Sequence, residues 1–142
     1  MPAWRDILVA VVGLTPQIIT ETVYYLTQVH RPAVTLTGIH VLTTQLGKAQ
    51  LLTQLLAPQG GHFYAFCTEY GLDPAAIAFE IHVLRDTAEV PLEDIRTASD
   101  SVAVADQIAT VVRRLTSDPT TRLHCSLAGG RKTQSVLLGF AL

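Results

Sequence analysis

The chain opens on an unbroken apolar run, Ile7 to Val12, of mostly β-branched residues between Asp6 and Gly13. A short run without alternation predicts a strand buried on both faces. Thr15 and Pro16 follow as N-cap and first helical residue, and Ile18, Ile19, Val23 and Leu26 keep helical spacing to about Gln28. Val34 to Leu42 predicts a second strand that ends at Thr43 and Thr44, and Leu46 to Leu56 a second helix. Pro58, Gly60 and Gly61 interrupt the pattern. His62 to Tyr70 then predicts a further helical segment closed by Gly71, and Ile77 to Leu84 a third strand.

Residues 86–97 have little periodicity, contain Pro91 and carry Asp86, Glu89, Glu93 and Asp94, which predicts a surface loop or a lid. Ser99 or Asp100 caps the next helix, whose apolar stripe includes Val102, Ala105, Ile108, Val111, Val112 and Leu115. A fourth strand is expected over Arg122 to Leu127, then a turn at Gly129 and Gly130. A helix follows from Lys132 to Leu142, still apolar where the chain stops, which points to a truncated or atypical terminus. Alternating strands and helices predict a parallel sheet with helices on both faces, a Rossmann-like α/β fold in a single domain.

Composition narrows the partners. With 49% apolar residues and a mean hydropathy of +0.33, the 142 residues have ample material for one core and none of the character of a disordered chain. Only 15% are charged, against about 25% in an average domain, which points to a buried self-association face. The formal charge of −2 argues against a general grip on duplex DNA or an anionic membrane, so any anion site is local. No run approaches the ~20 apolar residues of a membrane span, and no signal-peptide pattern opens the chain. Cys67 and Cys125 lack C-x-x-C spacing and are expected to be inert core thiols in a reducing cytoplasm. His40, His82 and His124 fall on different predicted strands without a second ligand at metal spacing, so structural roles and no metal are expected. Arg113 and Arg114 are expected to be solvated.

In a parallel sheet, ligands bind beyond the carboxyl ends of the strands, where loops and helix starts present unpaired N–H groups. Two loops there carry chemistry. Gly13-Leu14-Thr15-Pro16-Gln17 offers a close backbone approach, a hydroxyl and a helix start. By itself it is an ordinary strand-to-helix turn. Ser126-Leu127-Ala128-Gly129-Gly130-Arg131-Lys132-Thr133 adds two cations at a helix start, where the macrodipole opposes them unless an anion compensates. Together they describe a phosphate pocket. The P-loop pattern fails because Arg131 stands where glycine is required before Lys132-Thr133. A dinucleotide fold is disfavoured too: no G-x-G-x-x-G follows the first strand, and the second ends in Thr43 and Thr44 rather than an acid.

Val12-Gly13-Leu14-Thr15-Pro16-Gln17 and Ser126-Leu127-Ala128-Gly129-Gly130-Arg131-Lys132-Thr133, in this order, resemble the CRISPR-associated Rossmann-fold (CARF) domains, particularly the ring-nuclease-like branch. The likeness runs over residues 1–142 in element order and is specific in about fourteen residues of the two loops. It implies a homodimer whose two-fold axis passes through a pocket for cyclic oligoadenylate, the second messenger of type III CRISPR antiviral defence. Some members only sense that ring and others cut it. In the cutters the resemblance makes Thr15 and Lys132 the catalytic residues, although serine often stands at the position of Thr15. Gly13, Leu14, Pro16, Gln17, Thr43, Thr44, Ser126, Ala128, Gly129, Gly130, Arg131 and Thr133 become ligand-binding. No cofactor is implied, because the ribose 2′-OH of the ring is the nucleophile. Cyclic tetra-adenylate is the expected ligand, with the hexa-adenylate left open. The alternatives are a non-catalytic sensor domain that controls an effector domain elsewhere, and a mononucleotide-binding enzyme of other chemistry.

Overall fold

Four parallel strands lie in the order β3-β2-β1-β4 in the computed structural model, which describes residues 4–126 together with 138, 139 and 141. They are β1 (Arg5–Val12), β2 (Leu36–Thr43), β3 (Ala78–Val83) and β4 (Thr121–Ser126). In β1 every residue after Arg5 is buried, as its unbroken apolar run requires of a strand covered on both faces. Its alternate residues feed two separate cores. Leu8, Ala10 and Val12 join Ile39 and Val41 under α1 (Gln17–Tyr24), the π-helical turn Leu51–Leu55 and α3 (His62–Tyr70). Ile7, Val9 and Val11 pack with Leu42 under α4 (Ala98–Thr116), through Val104, Ile108, Val111 and Val112. The predicted Rossmann-like α/β architecture is therefore present, with helices on both faces of one parallel sheet.

Local sequence explains most element ends and corrects several expectations. Pro16, with helical φ of −70° and ψ of −11°, takes the N-cap position of α1, and no side chain caps it. Thr15 is exposed and is not the cap, because proline already adopts helical angles and its carbonyl accepts the amide of Ile19 at 3.0 Å. α1 runs on into a π-helical turn, Tyr25–Val29, matching the expected length. α2 (Gln45–Gln50) is capped by Thr44, whose hydroxyl accepts the Gly47 amide, and continues into the Leu51–Leu55 turn. α3 stops at Gly71, whose φ of +69° is the left-handed conformation that glycine takes without strain.

Thr97, rather than Ser99 or Asp100, is the N-cap of α4. Asp100 forms the other half of a capping box: Thr97 Oγ1 accepts the Asp100 amide at 3.0 Å and Asp100 Oδ2 accepts the Thr97 amide at 3.2 Å. The acidic segment before it is a surface loop pinned to the sheet edge. Leu92 is buried, its amide donates to Leu84 O at 2.8 Å, and its carbonyl accepts the Gln45 amide at 2.7 Å. Leu127, the end of the predicted fourth strand, lies outside the described residues, as do the Gly129-Gly130 turn and most of the Lys132 to Leu142 helix; Leu138, Gly139 and Ala141 are helical.

Candidate ligand site at the carboxyl edge of the sheet

Register decides which loops meet. Val12 pairs with Thr43, so the two strands finish side by side and their following loops start from one edge. Thr43 is buried and donates its hydroxyl to Val12 O at 2.6 Å, tying the strand ends together. Thr44 is also buried, and its oxygen is engaged by the Gly47 amide at 3.3 Å. Gly47 completes the joint. A Cβ there would lie 3.0 Å from Gly13 O and 1.9 Å from Thr43 Oγ1, so glycine lets α2 press against the first loop. The fold thus brings together Gly13, Thr43 and Thr44, and gives the two threonines bonds within the protein rather than open hydroxyls.

Around that joint the first loop presents its chemistry outward. Leu14 is 61% exposed, Thr15 and Gln17 are exposed, Gly13 is half-buried and Pro16 is buried. β4 stops two residues short of that edge: Ser126, its buried last residue, pairs with Ala10 of β1. Of the second candidate loop only Ser126 is described; Ala128, Gly129, Gly130, Arg131, Lys132 and Thr133 lie outside the described residues. Both cysteines are free, and burial pushes the Cys125 thiol up to about 11, which makes it a poor nucleophile, in keeping with an inert thiol.

Two clusters escaped the sequence reading. The histidines were expected to stay apart because they belong to different strands, yet His40 Nδ1 on β2 and His82 Nε2 on β3 are 2.8 Å apart. Glu80 Oε2 stands 3.4 Å from the first nitrogen and 3.7 Å from the second. The signal was the parallel pairing of His40 with Glu80, plus the two-residue repeat that returns His82 to the same face. Burial lowers the pKa of both imidazoles; Arg114, exposed on α4 as expected, adds to that, and Glu80 opposes it. Near the opposite end of the sheet, Asp6 accepts from Arg122 Nε at 2.6 Å and contacts His124 Nε2 at 2.8 Å. Burial raises the Asp6 carboxyl, but the Arg122 and His124 bonds outweigh it and leave its pKa below the usual aspartate value.

No helix among the described residues is long and apolar enough to cross a membrane. No curated protein matches the chain. A family model described as CRISPR-associated protein NE0113 matches residues 15–142, from Thr15 of the first loop to the end, and the chain belongs to that CRISPR-associated family.

Proposed function

We propose that residues 1–142 form a CARF-like domain that binds cyclic oligoadenylate as a cytoplasmic homodimer and cuts the ring without a metal, as ring nucleases do. The observation that carries this reading is the joint at the carboxyl edge, where Gly13 and the end of β2 meet and leave Thr15 and Gln17 exposed, in a chain that belongs to a CRISPR-associated family. The Gly129-Gly130-Arg131-Lys132 sequence supports it with two cations suited to phosphate.

The chemistry asks little of the protein. The ribose 2′-oxygen of the ligand attacks the adjacent phosphorus, the 5′-oxygen leaves with a proton, and the product is a linear chain with a 2′,3′-cyclic phosphate. Thr15 and Gln17 hold the ribose in line, which lowers the barrier by positioning. Lys132 and the amides of Gly130 and Arg131 stabilise charge on the non-bridging oxygens. Gly13, Leu14, Pro16, Ser126, Ala128, Gly129 and Thr133 shape the walls, and Thr43 and Thr44 stand behind the first loop, Thr43 tied to the end of β1 and Thr44 capping α2. A two-fold dimer matches a ligand with its own rotational symmetry.

The test incubates labelled cyclic tetra-adenylate and hexa-adenylate with the protein, with and without EDTA, and resolves the products by chromatography. Linear products in both conditions are expected, with the tetra-adenylate preferred. Tight binding with an intact ring after many hours would make the chain a sensor, and no binding of either ring would overturn the reading. Light scattering should give a dimer at micromolar concentration; a monomer with and without ligand would remove the shared pocket.

A further inference from the structure

We propose that His40, Glu80 and His82 form a site for a divalent transition cation of the zinc class, on the α4 face of the sheet and outside the loop that follows β1. Three atoms of the kinds zinc prefers, two imidazole nitrogens and one carboxylate oxygen, converge from two adjacent strands, and their separations of 2.8, 3.4 and 3.7 Å enclose a common point. A tetrahedral ion with bonds of about 2.0–2.1 Å places its ligand atoms about 3.3–3.4 Å apart, so the triangle matches one face of that tetrahedron. The short His40–His82 edge lengthens by about 0.5–0.6 Å and the His82–Glu80 edge shortens by about 0.3–0.4 Å to reach that geometry.

The scaffold is rigid where it matters. His40 is buried in mid-strand, and the pairing of Gly38 with Ala78 through Thr43 with Val83 fixes it opposite Glu80. At 2.8 Å the two facing nitrogens share one proton, so on metal binding that proton moves to the other nitrogen of its ring and frees the second lone pair. Arg114 opposes a cation, and the Glu80 carboxylate offsets it.

Access is present as well. A groove of about 390 Å³ between β3 and α4 is lined by His82 together with Asp106, Gln107 and Thr110, giving an entry path and room for a water as fourth ligand. Nitrogen donors with a single carboxylate select zinc, cobalt or nickel over magnesium and calcium, which take oxygen ligands. The bound ion would cross-link edge strand β3 to β2.

Calorimetry on metal-stripped protein titrated with ZnCl2 tests the site, with MgCl2 as control and visible absorption after CoCl2 addition reporting geometry. One zinc per chain, a four-coordinate cobalt spectrum and a raised Tm are expected, with no response to magnesium. Glu80→Gln, at an exposed position, keeps the fold and should weaken zinc binding about tenfold or more, the loss seen when even outer partners of a metal are removed. His82→Ala should abolish the cobalt bands, with circular dichroism confirming the fold. No zinc binding by the wild type, or binding unchanged in both variants, would overturn the proposal whether or not the ring is cut.

Discussion

Thr43 gives its hydroxyl proton to the carbonyl of Val12 at the point where β2 and β1 end together. A Cβ on Gly47 would fall 1.9 Å from that same hydroxyl oxygen, so bond and glycine form one device that aligns the first loop. Gly47→Ala gains about 1 kcal/mol of helix propensity, but overpacking a locked contact costs roughly 1–3 kcal/mol, so a net loss is expected. Thr43→Ala removes the clashing oxygen and itself costs about 1–2 kcal/mol through the lost bond. In the Thr43→Ala background, Gly47→Ala should therefore cost less than it does alone. Urea denaturation of the four proteins in the cycle reads this coupling. Strict additivity would show that the two residues act independently.

Acid should unfold the protein through two carboxyls. The Asp6 carboxyl, raised by burial but lowered further by Arg122 and His124, ends below its ordinary value. Asp118 is pulled down to about 2 by the Thr120 hydroxyl, the Thr120 amide and Arg5. Both bind their proton more weakly in the folded chain than in the unfolded one. Their stabilisation is therefore complete above an unfolded value of about 3.9 and is lost as pH falls through the lower folded values, which for Asp118 means down to about 2. Asp6→Asn should cost about 2 kcal/mol at neutral pH, a charged hydrogen bond's worth discounted for the exposure of Arg122, and should flatten the acid limb. Urea midpoints across pH 2–7 measure both. An unchanged acid limb would mean that Asp6 does not set it.

Thr97→Ala should destabilise α4 by about 1 kcal/mol, because it removes the hydroxyl half of the capping box. Ser99→Ala should leave stability within about 0.5 kcal/mol, since an exposed position inside the first turn caps nothing. Thermal melts distinguish the two positions.

What the sequence made legible follows from periodicity. The apolar run of β1 and the stop at Gly71 depend on near neighbours and were found. The stripe of α4 was found at Ile108, Val111 and Val112 but misplaced at its start, where Val102 is exposed and Ala103 and Val104 are buried instead. Caps were missed where two local candidates competed. Thr15 looked like an N-cap, but Pro16 holds helical angles itself; Asp100 looked like the cap of α4, but serves as its N3 partner. The His40, Glu80 and His82 cluster depends on the pairing of two strands separated by 34 residues of other structure, so no local pattern announces it. Once β2 and β3 are set in parallel register, the two-residue repeat makes the cluster unavoidable.

Thr15 is where fold and proposed chemistry separate most cleanly. Its side chain makes no capping bond and stands exposed beyond β1, so Thr15→Ala should leave the melting temperature almost unchanged. If Thr15 orients the ribose 2′-OH of a bound ring, its contact matters chiefly when the oxygen lines up with phosphorus. Turnover should then fall by a factor of ten to a thousand, about 1.4–4 kcal/mol in the barrier, while affinity changes little. Lys132→Ala should weaken both, because a cation beside a phosphate acts on ligand and transition state alike. EDTA should leave the wild-type rate unchanged, since the proposed cation ligands lie on the α4 face of β2 and β3 rather than in the loop after β1. Single-turnover cleavage of labelled cyclic tetra-adenylate, paired with calorimetric binding, separates the two effects. A Thr15→Ala protein that binds and cuts as the wild type does would remove Thr15 from the reaction, and a rate that vanishes with EDTA would rule out the metal-independent route.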